Sequence, residues 1–232
     1  MSYSSVRLII LSIFLVLLFT IPQGTYRCSL PEQKKQHIVL ITGFEPFGSY
    51  ECNPSQLIAE ELNGQEFDNA RIYGVVLPVD FNSSATIATR MIDVLHPDVV
   101  ISIGLEAKTK VIHVEHLGIN LQRDPFGNGS EKRFHFIARH SPLILHCSLP
   151  IRSIVCDLRN AGIPVQQSWC AGTYACNTLI YKVMQHINEH TYHTKAGFLH
   201  IPLLSQDSEK GMDFSTMIDA VKIVISTTLK KR

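Results

Sequence analysis

The feature that most constrains this chain is a recurring pair: a short apolar run that closes on a turn, followed by a stretch with helical periodicity. His37 to Thr42 (His-Ile-Val-Leu-Ile-Thr) runs into Gly43, and Asp98 to Gly104 (Asp-Val-Val-Ile-Ser-Ile-Gly) ends on a glycine of its own. Runs this short and this continuously apolar read as strands buried on both faces, as in a parallel sheet. Ala70 to Pro78, Pro164 to Ser168 and Lys195 to Pro202 read as further strands, and His113 to Asn120 as one of alternating polarity. Helical patterns fall between them at Asn53 to Leu62, Asn82 to Leu95, Pro150 to Ala161, Asn177 to Ile187 and Asp213 to Leu229. Asn53 fits an N-cap with Pro54 in the first helical position. Ser83 or Ser84 stands near the start of the second helix, and Gly162 closes the third. Gln122 to Ile137, with Pro125, Gly127 and Gly129, reads as a long loop or a β-excursion. Strands alternating with helices predict an α/β fold: a three-layer α/β/α sandwich around a mixed, mostly parallel central sheet.

At 232 residues and 45% hydrophobic, the chain can bury the core of one domain. Its first residues stand apart. Leu8 to Phe19 is apolar except for Ser12, follows the basic Arg7, and is broken by Pro22 and Gly24 before a polar linker, Pro31 to Gln36. The apolar core is short for a membrane span and fits the central region of a signal peptide. The cleavage site is poor, with Gly24 the nearest small residue, so an uncleaved anchor through residues 8–21 stays open as the alternative. Residues 1–35 are therefore expected to be a signal peptide or membrane anchor plus linker, residues 36–232 a single domain, and the protein exported (secreted or periplasmic). Export would place Cys28, Cys52, Cys147, Cys156, Cys170 and Cys176 in an oxidising compartment. They form no Cys-x-x-Cys pair and no ligand-like spacing with histidine, so no metal site is expected. A net charge of +1 gives no sign of a nucleic-acid partner. Asn82 and Asn128 head Asn-x-Ser sequons, which matter only in a eukaryotic secretory pathway.

Chemistry concentrates in Ser168-Trp-Cys-Ala-Gly-Thr-Tyr-Ala-Cys-Asn177 and Gly197-Phe-Leu-His-Ile-Pro202. Cys176 follows a Gly-Thr turn where a helical pattern begins, and the positive end of a helix dipole favours a thiolate. His200 sits at a strand end, where an imidazole could take the thiol proton and later deliver it to a leaving amine. Taken alone, a cysteine in apolar surroundings is more often a small core residue. Phe44 and Phe47 after the first strand, Cys176 after the Pro164 strand and His200 near the end of its own all fall at carboxyl ends, where open α/β sheets collect their sites.

The run Ile41-Thr-Gly-Phe-Glu-Pro-Phe-Gly48 with Asn53-Pro54-Ser55 resembles the N-terminal signature of the pyroglutamyl-peptidase I (pyrrolidone carboxyl peptidase) family. Val76 to Val79, Pro97 to Gly104, Val114 to Asn120, Gly162 to Val165, Ala171 to Asn177 and Gly197 to Pro202 follow in the family's order, so the likeness spans about residues 37–229. The resemblance implies a phosphorylase/hydrolase-like fold and a cysteine exopeptidase that removes N-terminal pyroglutamate from blocked peptides without metal or organic cofactor. Its implied triad falls on Cys176, His200 and Glu115. It implies aromatic walls at Phe44 and Phe47 for the lactam, with Asn53 and backbone groups near Val79 and Thr173 as candidates for its polar edge. A homo-oligomer is common in the family. By pattern alone, Glu115 between His113 and His116 reads as a residue of a solvated face, and Asn53 as a cap. Three departures stand out: Leu105-Glu-Ala-Lys-Thr109 where many bacterial members have a Gln-Ala-Gly-Gly-Arg-like stretch, the apolar N-terminus, and a reshaped Gln122 to Lys132 segment. The first keeps two competing readings open: a module that binds blocked peptides without turnover, and a thiol hydrolase of some other small blocked amide.

Overall fold

The computed structural model describes residues 35–123 and 134–230, so the apolar N-terminal run, Cys28 and Asn128 lie outside the described residues. The first strand, β1 (His37–Phe44), pairs in parallel with β3 (Ala70–Leu77) on one side and β4 (Val99–Leu105) on the other. Next to β4 lies β11 (Lys195–Ile201), also parallel. Two strands then reverse. β5 (Ile112–Glu115) runs antiparallel to β11, and β10 (Val165–Ser168) runs parallel to β5. With the edge strand β2 (Glu66–Phe67), the sheet order is β10-β5-β11-β4-β1-β3-β2. The central strands are buried almost throughout, which is why they read as continuous apolar runs.

Helices cover both faces. α1 (Pro54–Leu62), α3 (Ile151–Asn160) and α5 (Phe214–Lys230) enclose one core cluster with Val39, Ile41, Ile101 and Leu199. α2 (Phe81–Leu95) and α4 (Ala175–Glu189) enclose the other with Leu40, Val100 and Phe198. The three-layer expectation is met. Asn53 caps α1, its Oδ1 accepting from the Ser55 N–H at 3.1 Å. α2 is capped by Asp80, not by a serine: Asp80 Oδ1 accepts from Asn82 and Ser83 amides at 3.1 and 2.7 Å, because the helix already starts at Phe81.

The expected His113–Asn120 strand is two strands in different sheets. β5 ends at Glu115, and β6 (Leu117–Ile119) pairs antiparallel with β9 (Ile144–His146), a strand with no signal of its own. β6 can lie against α4 because residue 118 is glycine: a Cβ there would stand 2.8 Å from the Tyr181 backbone nitrogen. The Gln122 segment is a β-excursion at its ends, where β7 (Gln122–Arg123) pairs with β8 (Phe134–His135).

The reversal of β5 and β10 matters for the site. Their carboxyl ends do not share the sheet edge of β1, β4 and β11. In register, Glu115 lies opposite Phe198, halfway along β11, and Ser168 lies beside Glu115. The expectation that Cys176 sits at the same carboxyl edge because it follows the Pro164 strand is therefore corrected. The N-terminus of α4, after a return loop, brings it there.

Candidate active site

Cys176 lies in the first turn of α4, after a turn made by Gly172 at φ +79°. Tyr174 is the N-cap residue and makes no side-chain cap bond. Asn177, wholly buried, stitches this turn to the strand beyond Glu115. Its Oδ1 accepts from the Ile119 N–H, and its Nδ2 donates to the carbonyls of Ile119 and Leu121, each at 2.8 Å. A buried amide satisfied this fully is rigid. The thiol rests over Gly104 of β4, where a Cβ would stand 3.0 Å from Cys176 Sγ and 2.8 Å from Phe198 Cζ. Gly104, the penultimate residue of β4, thus allows this close approach.

His200, Phe198 and Glu115 share one face of the sheet by register and alternation, the face covered by α4. His200 Nδ1 donates to Glu115 Oε1 at 2.7 Å, with side chains 8% and 1% exposed. Glu115 is therefore no residue of a solvated face. The Nδ1 bond leaves Nε2 for the thiol. Burial alone would push the imidazole pKa down. Hydrogen bonds to Cys176 and Glu115, and the negative charge of both, outweigh it and raise the value to about 10. The ring therefore holds its proton more tightly than an ordinary imidazole. Glu115 Oε2 is buried without a hydrogen-bond partner. Nearby, burial and then the Glu115 charge push the Cys147 thiol up to about 12, so it does not compete as a nucleophile. All five described cysteines are free thiols, and Cys170 is exposed.

The thiol and imidazole open into a cleft of 560 Å³. Phe44 and Leu105, 3% and 7% exposed, wall its inner part; Phe47, Val79 and Tyr174, 38%, 41% and 55% exposed, stand at its rim. Phe44 is held by its own N–H, which donates to Ser55 Oγ at 3.0 Å. Asn53 does not line the cleft. Its Oδ1 accepts from Ser55 and its Nδ2 donates to the Glu45 carbonyl at 3.0 Å, so it holds the Phe44 loop against α1. Thr173 is not a lining residue either, and its carbonyl accepts from the Arg123 N–H at 2.9 Å. A hollow of 810 Å³ between α3 and α5 is larger, yet neither cysteine nor histidine lines it, so size does not mark the site.

The remade Leu105–Thr109 loop has a structure of its own. Glu106 binds His113 Nδ1 at 2.7 Å, and Thr109 Oγ1 lies 3.4 Å from His113 Nε2. His116 stacks on Trp169 with ring centroids 3.7 Å apart, and neither ring lines the cleft. Sequence reasoning assigned no role to Gly104, Leu105, Tyr174 or Asn177. A glycine closing a strand just where a nucleophile must approach was the available signal for the first; the last was visible only as part of a motif.

Among the described residues no group of histidine, cysteine and acidic side chains is arranged to hold a metal ion. A family model described as pyroglutamyl peptidase matches residues 37–231. The pyrrolidone-carboxylate peptidase of Enterobacter sp. (strain 638) is 35% identical over 200 residues, covering 83% of this chain and 93% of that protein. Among solved structures, the pyrrolidone carboxyl peptidase from Thermococcus litoralis superposes with a TM-score of 0.78 at 31% identity, covering 84% of this chain and 94% of the other. Pyroglutamyl peptidase I from Bacillus amyloliquefaciens does so with a TM-score of 0.77 at 32% identity, covering 83% and 95%.

Proposed function

Since the chain belongs to the pyroglutamyl peptidase family, we propose that Cys176, His200 and Glu115 are the residues with which it hydrolyses the bond after an N-terminal pyroglutamyl residue. The enzyme is a cysteine exopeptidase, and its substrates are pyroglutamyl-blocked peptides. The observation that carries the assignment of roles is the buried Glu115–His200 pair with the half-buried Cys176 as the ring's second partner at the inner end of an apolar cleft.

The Cys176 sulfur attacks the pyroglutamyl carbonyl carbon, and the carbonyl oxygen takes the electron pair. Main-chain amides at the start of α4, whose N-cap Tyr174 makes no side-chain cap bond, are the donors we assign to that oxyanion. As the C–N bond breaks, the protonated His200 gives its proton to the leaving amine, and a thioester remains. His200, now neutral, removes a proton from water; the hydroxide adds to the thioester and Cys176 is expelled as thiolate. Glu115 holds the ring in the tautomer this requires and stabilises its cation. The cleft suits the substrate: a lactam is flat and neutral, so burying it against Phe44 and Leu105 costs less than burying a charged amino terminus.

The test is release of a fluorophore from a pyroglutamyl amide by the reduced protein, beside Cys176→Ser and an alanyl amide. Turnover of the blocked substrate alone, absent in the variant, is expected. A folded, reduced protein with no turnover overturns the assignment. For residues 1–35 the reading is export, supported by the apolar Leu8 to Phe19 run, with the anchored form as alternative. N-terminal sequencing of the chain from a secreting host separates the two. Among the described residues no helix is long and apolar enough to cross a membrane. The family tendency to homo-oligomers is checked by light scattering.

A further inference from the structure

The cleft's inner wall accounts for the blocked residue but not for the second residue of the substrate. Among the described residues that line the cleft, none carries an ionic side chain apart from the Cys176 and His200 pair. A charge is nevertheless fastened to its rim. Arg123 Nη1 donates to the Tyr174 hydroxyl, and the guanidinium carbon stands 5.5 Å from the centre of the same ring. The backbone of Arg123 is fixed as well, its N–H donating to the Thr173 carbonyl. Tyr174 is a rim residue, half exposed, two positions before the nucleophile. The neighbouring acid Asp80, between the lining residues Val79 and Phe81, spends its carboxylate on capping α2.

A pyroglutamyl residue carries no charge, so the first anion a substrate can present belongs to the residue after it. One residue spans about 3.3–3.6 Å of extended chain, so the carboxylate of a pyroglutamyl dipeptide, or an acidic side chain at its second position, falls at the cleft mouth. Arginine held in a fixed orientation meets a carboxylate through paired N–H donors, and Arg123 retains donors beyond the one used by Tyr174. Resting on the peptidase reading above, we propose that Arg123, braced by Tyr174, is a specificity-determining residue that selects short pyroglutamyl peptides bearing a carboxylate on the second residue.

The experiment compares kcat/KM for pyroglutamyl-alanine with that for pyroglutamyl-alanine amide, in the parent protein and in Arg123→Met, Arg123→Lys and Tyr174→Phe. The quantity read is the acid-to-amide ratio within each protein, so a general loss of activity cancels. The parent is expected to favour the acid by roughly tenfold, the scale of one charge-assisted hydrogen bond. The ratio should fall to about one in Arg123→Met, survive in part in Arg123→Lys, and shrink in Tyr174→Phe, where the guanidinium loses its brace. Raising salt should lower it in the parent and leave it unchanged in Arg123→Met. Equal ratios in the parent and Arg123→Met, with both substrates turned over, overturn the proposal while leaving the peptidase reading intact. If Arg123→Met does not fold, an unchanged ratio in Tyr174→Phe does the same. Failure of the parent to cleave either substrate defeats the peptidase reading itself.

Discussion

Two histidine–glutamate pairs meet at strand β5 with the same 2.7 Å contact, one through Glu115 and the other through His113. In Glu115–His200 the side chains are 1% and 8% exposed; in Glu106–His113 they are 42% and 20% exposed. His113 even lies opposite His200 in register. The hydrogen bond by itself therefore does not distinguish the two pairs. What differs is the surroundings. His200 is closed off from water with a thiol as its second partner, so electrostatic interactions there act in a low dielectric. The other pair is partly open to solvent and braces a loop.

Removing the thiol should break the comparison most sharply. Cys176→Ser is expected to lower kcat for a pyroglutamyl amide by at least about 10⁴-fold with the fold intact, measured by fluorophore release and circular dichroism. Glu115→Gln comes next: a loss on the order of 10³–10⁴-fold is expected, because an amide cannot hold the imidazolium or its tautomer. Gly104→Ala should cost about 10²-fold. Its new Cβ would crowd Cys176 Sγ at 3.0 Å and force a displacement of ångström scale. A variant with parent activity would show that the thiol does not rest on β4.

Stability should track the same contrast. The His200 pKa rises from 6.5 unfolded to about 10 folded, so the ring holds its proton more tightly in the native state. Its contribution is complete below about pH 6.5 and is lost as pH climbs to about 10. Urea midpoints from pH 6 to 10 should fall more steeply for the parent than for Glu115→Gln; parallel curves would mean that Glu115 does not sustain the shift. The smallest effect belongs to the exposed pair. Glu106→Gln should change kcat/KM less than about threefold and stability by under about 1 kcal/mol, as exposed ion pairs do. A loss comparable to that of Glu115→Gln would erase the distinction between the two pairs.

Much of the fold is legible in the sequence where it depends on neighbours along the chain. The strand from His37 ends one residue past Gly43, and the helix starts at Pro54, because buried apolar runs and Asn-Pro caps act over a few residues. Cys176 is where a Gly-Thr turn and a helical pattern place it. The break between β5 and β6 is not legible: alternation continues through His116, and only the packing of Gly118 on α4 parts the two strands. Nor is Asp80, which looks like an ordinary loop acid until the helix behind it is known to begin at Phe81.

The sequence by itself determined the alternation of strands and helices, the helix-start position of the thiol and the family to which the chain belongs, since these rest on local periodicity and ordered motifs. Only the tertiary structure decided that Glu115 is buried against His200, that Asn53 braces a loop instead of facing the cleft, and that Arg123 reaches the rim through Tyr174. Each of these joins residues brought together by strand reversal or helix packing. Burial is a property of what covers a side chain, and the covering residues lie tens of positions away.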